Sequence, residues 1–235
     1  MKPEIIVALD YSELEPVKGI VESVGDAVNW YKVGLELFVS CGPDALSYLA
    51  DKGKKVFLDL KFHDIPNTVS KVCLSSLKYG VSMMNMHVQG GEEMMKTAVD
   101  KVSESAGDKR PLMLGVTVLT SLDENHLSQY GIVTPDTASY VLKLAEIAKR
   151  AGMDGVVSSA KETQIIKENL GEDFITVTPG IRPASASVDD QKRVVTPADA
   201  RQMGTDYIVV GRPITKADNP KEAAEAIKEE MGWTD

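Results

Sequence analysis

Eight short apolar runs, each followed by a segment with helical spacing, recur from one end of this chain to the other and restrict the folds open to it. The runs are Ile5–Leu9, Ala27–Val33, Lys55–Lys61, Ser82–His87, Leu112–Val118, Gly155–Ser158, Phe174–Thr178 and Tyr207–Val210. They lack the clean apolar/polar alternation of a sheet with one wet face, which suits parallel strands covered on both sides. Helical stretches fall near Pro43–Asp51, Pro66–Tyr79, Glu92–Val102, Pro135–Ala151, Lys161–Asn169, Pro197–Met203 and Pro220–Glu230. Strands alternating with helices call for crossover connections. A closed (β/α)8 TIM barrel of the α/β class, one catalytic domain over residues 1–235, uses every run and leaves no sheet edge. A doubly wound sheet with extra helices stays open, because periodicity carries no information on closure.

Local signals mark the element ends. Ser12 with Glu15 three residues on reads as a capping box, and Thr134-Pro135, Thr196-Pro197 and Asn219-Pro220 read as cap-plus-proline helix starts. The longest irregular stretches, Thr120–Gly131 and Gly180–Val195, both follow strand-like runs and so are expected on one rim, as loops able to close over a ligand.

Composition narrows the partners. The formal net charge of −9 argues against broad binding to nucleic acid or anionic membranes, yet leaves room for a pocket of local positive charge. No stretch approaches the about 20 apolar residues of a membrane span, and Lys2-Pro3-Glu4 with a five-residue apolar run does not make a signal peptide. Cys41 and Cys73 show no CxxC or Cys/His spacing and read as structural thiols of a reducing compartment, with the cytoplasm the default. His63, His87 and His126 do not converge as a ligand set, so no metal site is expected.

In a barrel of this type the chemistry sits at the carboxyl ends of the strands. There the chain places Asp10, Lys32, Asp59, Lys61, His87, Thr117, Ser158, Thr178 and Gly211-Arg212. Asp59-Leu60-Lys61-Phe62-His63-Asp64 is the densest group. A period of two turns Asp59 and Lys61 to one face, and Lys32 offers a second cation from the neighbouring strand. A salt-bridge patch at a strand end is the plain alternative. Alternating charges of this kind hold one another ionised, so a positioned ammonium can donate a proton while a carboxylate opposes another negative group. Gly211 after the last strand lets the backbone approach a phosphate, with Arg212 as a forked cation; a turn with an exposed arginine is the competing reading. Arg182 and Gln191, in the loop after the seventh run, could add a clamp on the same anion or merely decorate the surface. No G-x-G-x-x-G follows a strand and no G-x-x-x-x-G-K-[S/T] occurs.

With these residues in view, the chain resembles the orotidine 5'-phosphate decarboxylase family of the shorter microbial type over essentially its whole length. The likeness rests on Ala8-Leu9-Asp10, Tyr31-Lys32-Val33-Gly34, the run from Phe57 to Thr68, Thr178-Pro179-Gly180-Ile181-Arg182 and Val209-Val210-Gly211-Arg212-Pro213-Ile214. It implies a charged tetrad of Lys32, Asp59, Lys61 and Asp64, with Lys61 the proton donor to C6 and Asp59 set against the substrate carboxylate. It further implies that Asp64 enters the neighbouring subunit's site beside Ile65 and Thr68, that Asp10 touches ribose, and that Thr120 and Ser121 touch the pyrimidine. Arg182, Gln191, Gly211 and Arg212 fall to phosphate binding, and Pro179 to substrate binding. A homodimer with two shared sites, orotidine 5'-monophosphate as substrate and no metal or organic cofactor follow. Barrel relatives resembling 3-keto-L-gulonate 6-phosphate decarboxylase or hexulose-phosphate synthase share D-x-K-x-x-D, but use magnesium and carry glutamate at the position of Lys32. A phosphate-ligand sensor on a barrel is the non-catalytic alternative; it would leave the pocket charges without a purpose.

Overall fold

The computed structural model describes residues 2–183 and 195–233. Its strands are β1 (Glu4–Ala8), β2 (Trp30–Gly34), β3 (Lys55–Phe62), β4 (Val81–His87), β5 (Leu112–Val116), β6 (Gly155–Val157), β7 (Ile175–Thr178) and β8 (Tyr207–Val210). They pair in parallel in chain order, and β8 closes on β1 through Glu4↔Tyr207 to Val7↔Val210. The closed barrel is therefore observed, and the open sheet is excluded. The helices are α1 (Leu14–Val24), α2 (Leu35–Cys41), α3 (Asp44–Asp51), α4 (Pro66–Leu77), α5 (Glu92–Ala106), α6 (Glu124–Gln129), α7 (Thr137–Arg150), α8 (Thr163–Leu170), α9 (Pro197–Gln202), α10 (Arg212–Thr215) and α11 (Pro220–Glu230). Among the described residues no helix is long and apolar enough to cross a membrane.

Two apolar layers explain the missing alternation. Ile6, Ala8, Trp30, Phe57, Met83, Leu114, Val177 and Val209 fill the barrel interior. Their sequence neighbours, such as Ile5, Val7, Tyr31, Leu58 and Met84, pack outward with the helices. The floor of the barrel, at the strand amino ends, is closed by Trp30 and Tyr207, whose rings meet edge-on at 5.3 Å. Charges there serve the scaffold. Asp206 accepts from Lys167 Nζ at 2.8 Å and from the Thr176 N–H at 2.7 Å, while Asp154 takes both Arg110 nitrogens and the Met113 N–H. Breaking one such half-buried pair would leave its partner uncompensated, a cost of about 3–5 kcal/mol where burial is complete.

Two helix starts differ from the sequence expectation, and one short helix lies where a loop is expected. Ser12 does not cap α1; Glu13 takes that place without a side-chain bond, and Ser12 Oγ instead donates to Glu36 at 2.7 Å. Pro16 explains this. A helix capped by Ser12 would need the residue-16 N–H for its first bond, and proline has none. Thr134-Pro135 does not open α7 either. Thr137 is held by Glu124 through its N–H and hydroxyl, so the helix begins there with Asp136 accepting from Ser139 N–H at 2.7 Å. Thr196 and Asn219 do cap α9 and α11. The stretch Thr120–Gly131 contains α6, opened by a reciprocal pair in which Asp123 accepts from the His126 N–H and His126 Nδ1 accepts from the Asp123 N–H. Histidine replaces the usual glutamate of that motif, which hid it from the sequence.

The strand interiors tolerate no added bulk at Gly155. A Cβ there would collide with the Ile175 carbonyl of β7. Gly155→Ala is expected to lower the unfolding free energy by about 1–3 kcal/mol, read as a shifted urea midpoint; an unchanged midpoint would show that β6 and β7 can separate freely.

Candidate active site

At the carboxyl end of the barrel, β2 and β3 deliver three charges to one point. Lys32 Nζ lies 3.1 Å from Asp10 Oδ1 and 3.6 Å from Asp59 Oδ2. Lys61 Nζ lies 2.7 Å from Asp59 Oδ1. Asp59 is thus shared by two ammonium groups, and its side chain and that of Lys32 are each only 12% exposed. Gly34 makes room for this: a Cβ there would stand 2.8 Å from Lys32 Nζ.

Lys61 reaches its place by a route that simple alternation does not describe. The β3–β4 register shifts between Leu58 and Phe62, and Lys61 adopts a φ of +50°, the one positive φ outside glycine among the described residues. A left-handed residue with a Cβ costs about 1–2 kcal/mol. Surrounding bonds must hold it, and Asn85 of β4 does so. Its Oδ1 accepts from the Lys61 N–H at 2.9 Å, and its Nδ2 donates to Asp59 Oδ1 at 2.7 Å.

Two cavities share Lys32, Pro179 and Val209 and form one cleft with two lobes. The outer lobe, about 430 Å³, is lined by Asp10, Pro179, Gly180, Arg182, Gly211, Arg212 and Lys216. The inner lobe, about 290 Å³, is lined by Asp59, Lys61, Thr120, Ser121 and Ser158 against apolar walls such as Phe57, Val116 and Leu119. One lobe gathers cations suited to an anion; the other sets Asp59 and Lys61 against apolar walls.

The expected residues therefore divide cleanly. Asp10, Lys32, Asp59, Lys61, Thr120, Ser121, Pro179, Arg182, Gly211 and Arg212 meet in the cleft. Asp64, Ile65 and Thr68 do not: all three are exposed, Asp64 accepts from the Ile65 N–H at 2.6 Å, and among the described residues it pairs with none of the other three tetrad members. Gln191 lies outside the described residues. Thr117 and Thr178 are buried, and their hydroxyls donate to the neighbouring strands at Val157 O and Tyr207 O, as buried hydroxyls require. Sequence reasoning missed Lys216 and Asn85. Lys216 follows Arg212 by one helical turn, and Asn85 is a lone amide in the apolar run Met83-Met84-Asn85-Met86, where a buried polar group demands partners. Ser158 is in the same position: its hydroxyl is buried at the inner lobe with no hydrogen-bond partner among the described residues.

The model of the family described as Orotidine 5'-phosphate decarboxylase / HUMPS matches residues 3–227. The chain is 46% identical over 230 residues to a curated orotidine 5'-phosphate decarboxylase of Pelobacter propionicus, covering 98% of this chain and 95% of the relative. It is 47% identical over 231 residues to that of Geobacter sulfurreducens, covering 98% and 96%. Among solved structures, the orotidine 5'-phosphate decarboxylase of Lactobacillus acidophilus superposes with a TM-score of 0.85 at 42% identity, over 97% of this chain and 99% of that one.

Beside the inner lobe, the rings of His63 and His87 meet with centroids 5.5 Å apart and planes tilted by 40°. Burial first, and then the neighbouring His63, push the His87 pKa below its ordinary 6.5. As pH falls below that value the unfolded chain takes up this proton before the folded one, so stability present at neutral pH is lost on acidification. Between pH of about 7.5 and about 5.5 the wild-type unfolding free energy should drop more than that of His87→Gln; parallel losses would contradict it.

Proposed function

The chain belongs to the orotidine 5'-phosphate decarboxylase / HUMPS family, and on that premise we propose that this cleft converts orotidine 5'-monophosphate to uridine 5'-monophosphate and carbon dioxide. The observation that carries the reading is the ammonium of Lys61 fixed 2.7 Å from Asp59 at the apolar inner lobe, with the cationic outer lobe adjoining it. The phosphate of the substrate occupies the outer lobe, where Arg182 and Arg212 supply charge-assisted hydrogen bonds. Gln191 joins them, Asp10 takes the ribose hydroxyls, and Thr120 with Ser121 orients the pyrimidine.

The bond from C6 to the carboxylate carbon breaks and leaves its electron pair on C6. A fixed ammonium stabilises that charge as it develops, at no cost of reorganisation. Lys61 then transfers a proton from Nζ to C6, and solvent restores it. Asp59 disfavours the bound carboxylate relative to the transition state, and Lys32 holds Asp59 in place. Binding of the distant phosphate contributes by orienting the base. No step uses a metal or an organic cofactor. For the magnesium-dependent alternative, the ammonium of Lys32 between Asp10 and Asp59 would compete with a cation for both carboxylates.

We assign the protein to the cytoplasm as a homodimer. Ile65 is 65% exposed beside Asp64 and Thr68, which suits a turn that enters the partner's cleft and completes the tetrad there.

Purified protein should deplete orotidine 5'-monophosphate absorbance equally with and without chelator, and Lys61→Ala should lower kcat by at least about 10²-fold while uridine 5'-monophosphate still binds. Loss of turnover on chelation would favour the magnesium chemistry, and near-normal turnover by the variant would remove Lys61 from its role. Mixed Lys61→Ala and Asp64→Ala subunits should recover activity, since one site of each heterodimer carries both lesions and the other neither; no recovery would count against shared sites.

A further inference from the structure

We propose that Asn85 is a positioning residue of the decarboxylation site, setting both the backbone from which Lys61 springs and the carboxylate that Lys61 meets; the inference rests on the decarboxylase reading above. The amide is fully buried, on β4. One end accepts the Lys61 N–H at 2.9 Å, and the other donates to Asp59 Oδ1 at 2.7 Å. Lys61 Nζ returns to the same Asp59 oxygen at 2.7 Å. The four links form a closed ring: amide, Lys61 main chain, Lys61 ammonium, Asp59 carboxylate. The ring also fixes which way the amide faces. Rotated by half a turn, it would set its NH2 against an N–H and its oxygen against a carboxylate, and both contacts would repel.

The strain lies where the ring acts. Lys61 holds a φ of +50° at a point where the β3–β4 ladder slips, so the ordinary strand bonds do not fix it. Asn85 substitutes a side-chain acceptor for the missing ladder partner. Asp59 Oδ1 therefore carries two donors, Lys61 and Asn85, while Oδ2 faces Lys32. With Asn85 removed, Lys61 can relax to an ordinary strand conformation, which withdraws its ammonium from the inner lobe. The outer lobe, which Asn85 does not line, keeps its cations. The loss should accordingly fall on the chemical step rather than on binding.

The experiment measures orotidine 5'-monophosphate turnover and uridine 5'-monophosphate affinity for wild type, Asn85→Ala and Asn85→Asp, with thermal melting to verify folding. A small displacement of a reacting group is worth about 10²-fold, so kcat of Asn85→Ala should fall by that order while product affinity stays within about threefold. In Asn85→Asp the introduced carboxyl can donate to Asp59 only while it keeps its proton. Its kcat relative to wild type should therefore rise as pH is lowered from about 8 to about 6. This profile decides the matter even if Asn85→Ala does not fold. An alanine variant with near-normal kcat, a parallel loss of product affinity, or a pH-independent ratio for Asn85→Asp would overturn the role of Asn85 while leaving the decarboxylase reading intact. An inactive wild-type protein would overturn the decarboxylase reading and this inference with it.

Discussion

Asp59 is the hinge of the structure's chemistry. A carboxylate so little exposed is tolerable only when it is hydrogen-bonded and paired, and here Lys61 and Asn85 donate to one oxygen while the Lys32 ammonium faces the other at 3.6 Å. Each donor comes from a different strand: Lys32 from β2, Lys61 from β3 itself, Asn85 from β4. The barrel's closed parallel order brings those three strands side by side, so the electrostatic arrangement depends on the sheet topology and not on any one loop. Gly34 and the register slip before Phe62 are the local concessions that let three donors converge.

On the proposed reading, the cleft separates recognition from reaction. Arg182, Arg212 and Lys216 line the outer lobe, and Asp59 and Lys61 the inner one, with Lys32 bordering both. Such a division lets binding energy gained on a non-reacting group be used to hold the reacting carbon in place. An acidic chain with a net charge of −9 thus still holds a pocket lined by Lys32, Arg182, Arg212 and Lys216.

Much of this could be read from the chain itself. Eight doubly buried strands read as apolar runs because Ile6 and Val7, or Leu58 and Phe57, face opposite cores that are both dry. Asp10, Lys32, Asp59, Lys61 and Gly211-Arg212 stood out as polar groups ending those runs. What escaped did so for identifiable reasons. Pro16 moved a cap by removing one N–H, which a motif of types at fixed spacing does not register. His126 closed the α6 capping pair in place of a glutamate. Asn85 sat among methionines, and nothing in a strand pattern says which distant backbone a buried amide will serve. Asp64, Ile65 and Thr68 are exposed and line neither lobe of the cleft, so the cleft of one chain does not show what they do.

The two ends of the barrel differ in what their ion pairs are for. At the floor, Asp154 and Asp206 tie Arg110 and Lys167 to the N–H groups of the second residues of β5 and β7, at the end opposite the cleft. Mutational tolerance should therefore be partitioned along the barrel axis. Descendants of this sequence can exchange floor pairs for apolar packing and drift in heat resistance, while the mouth retains its chemistry unaltered.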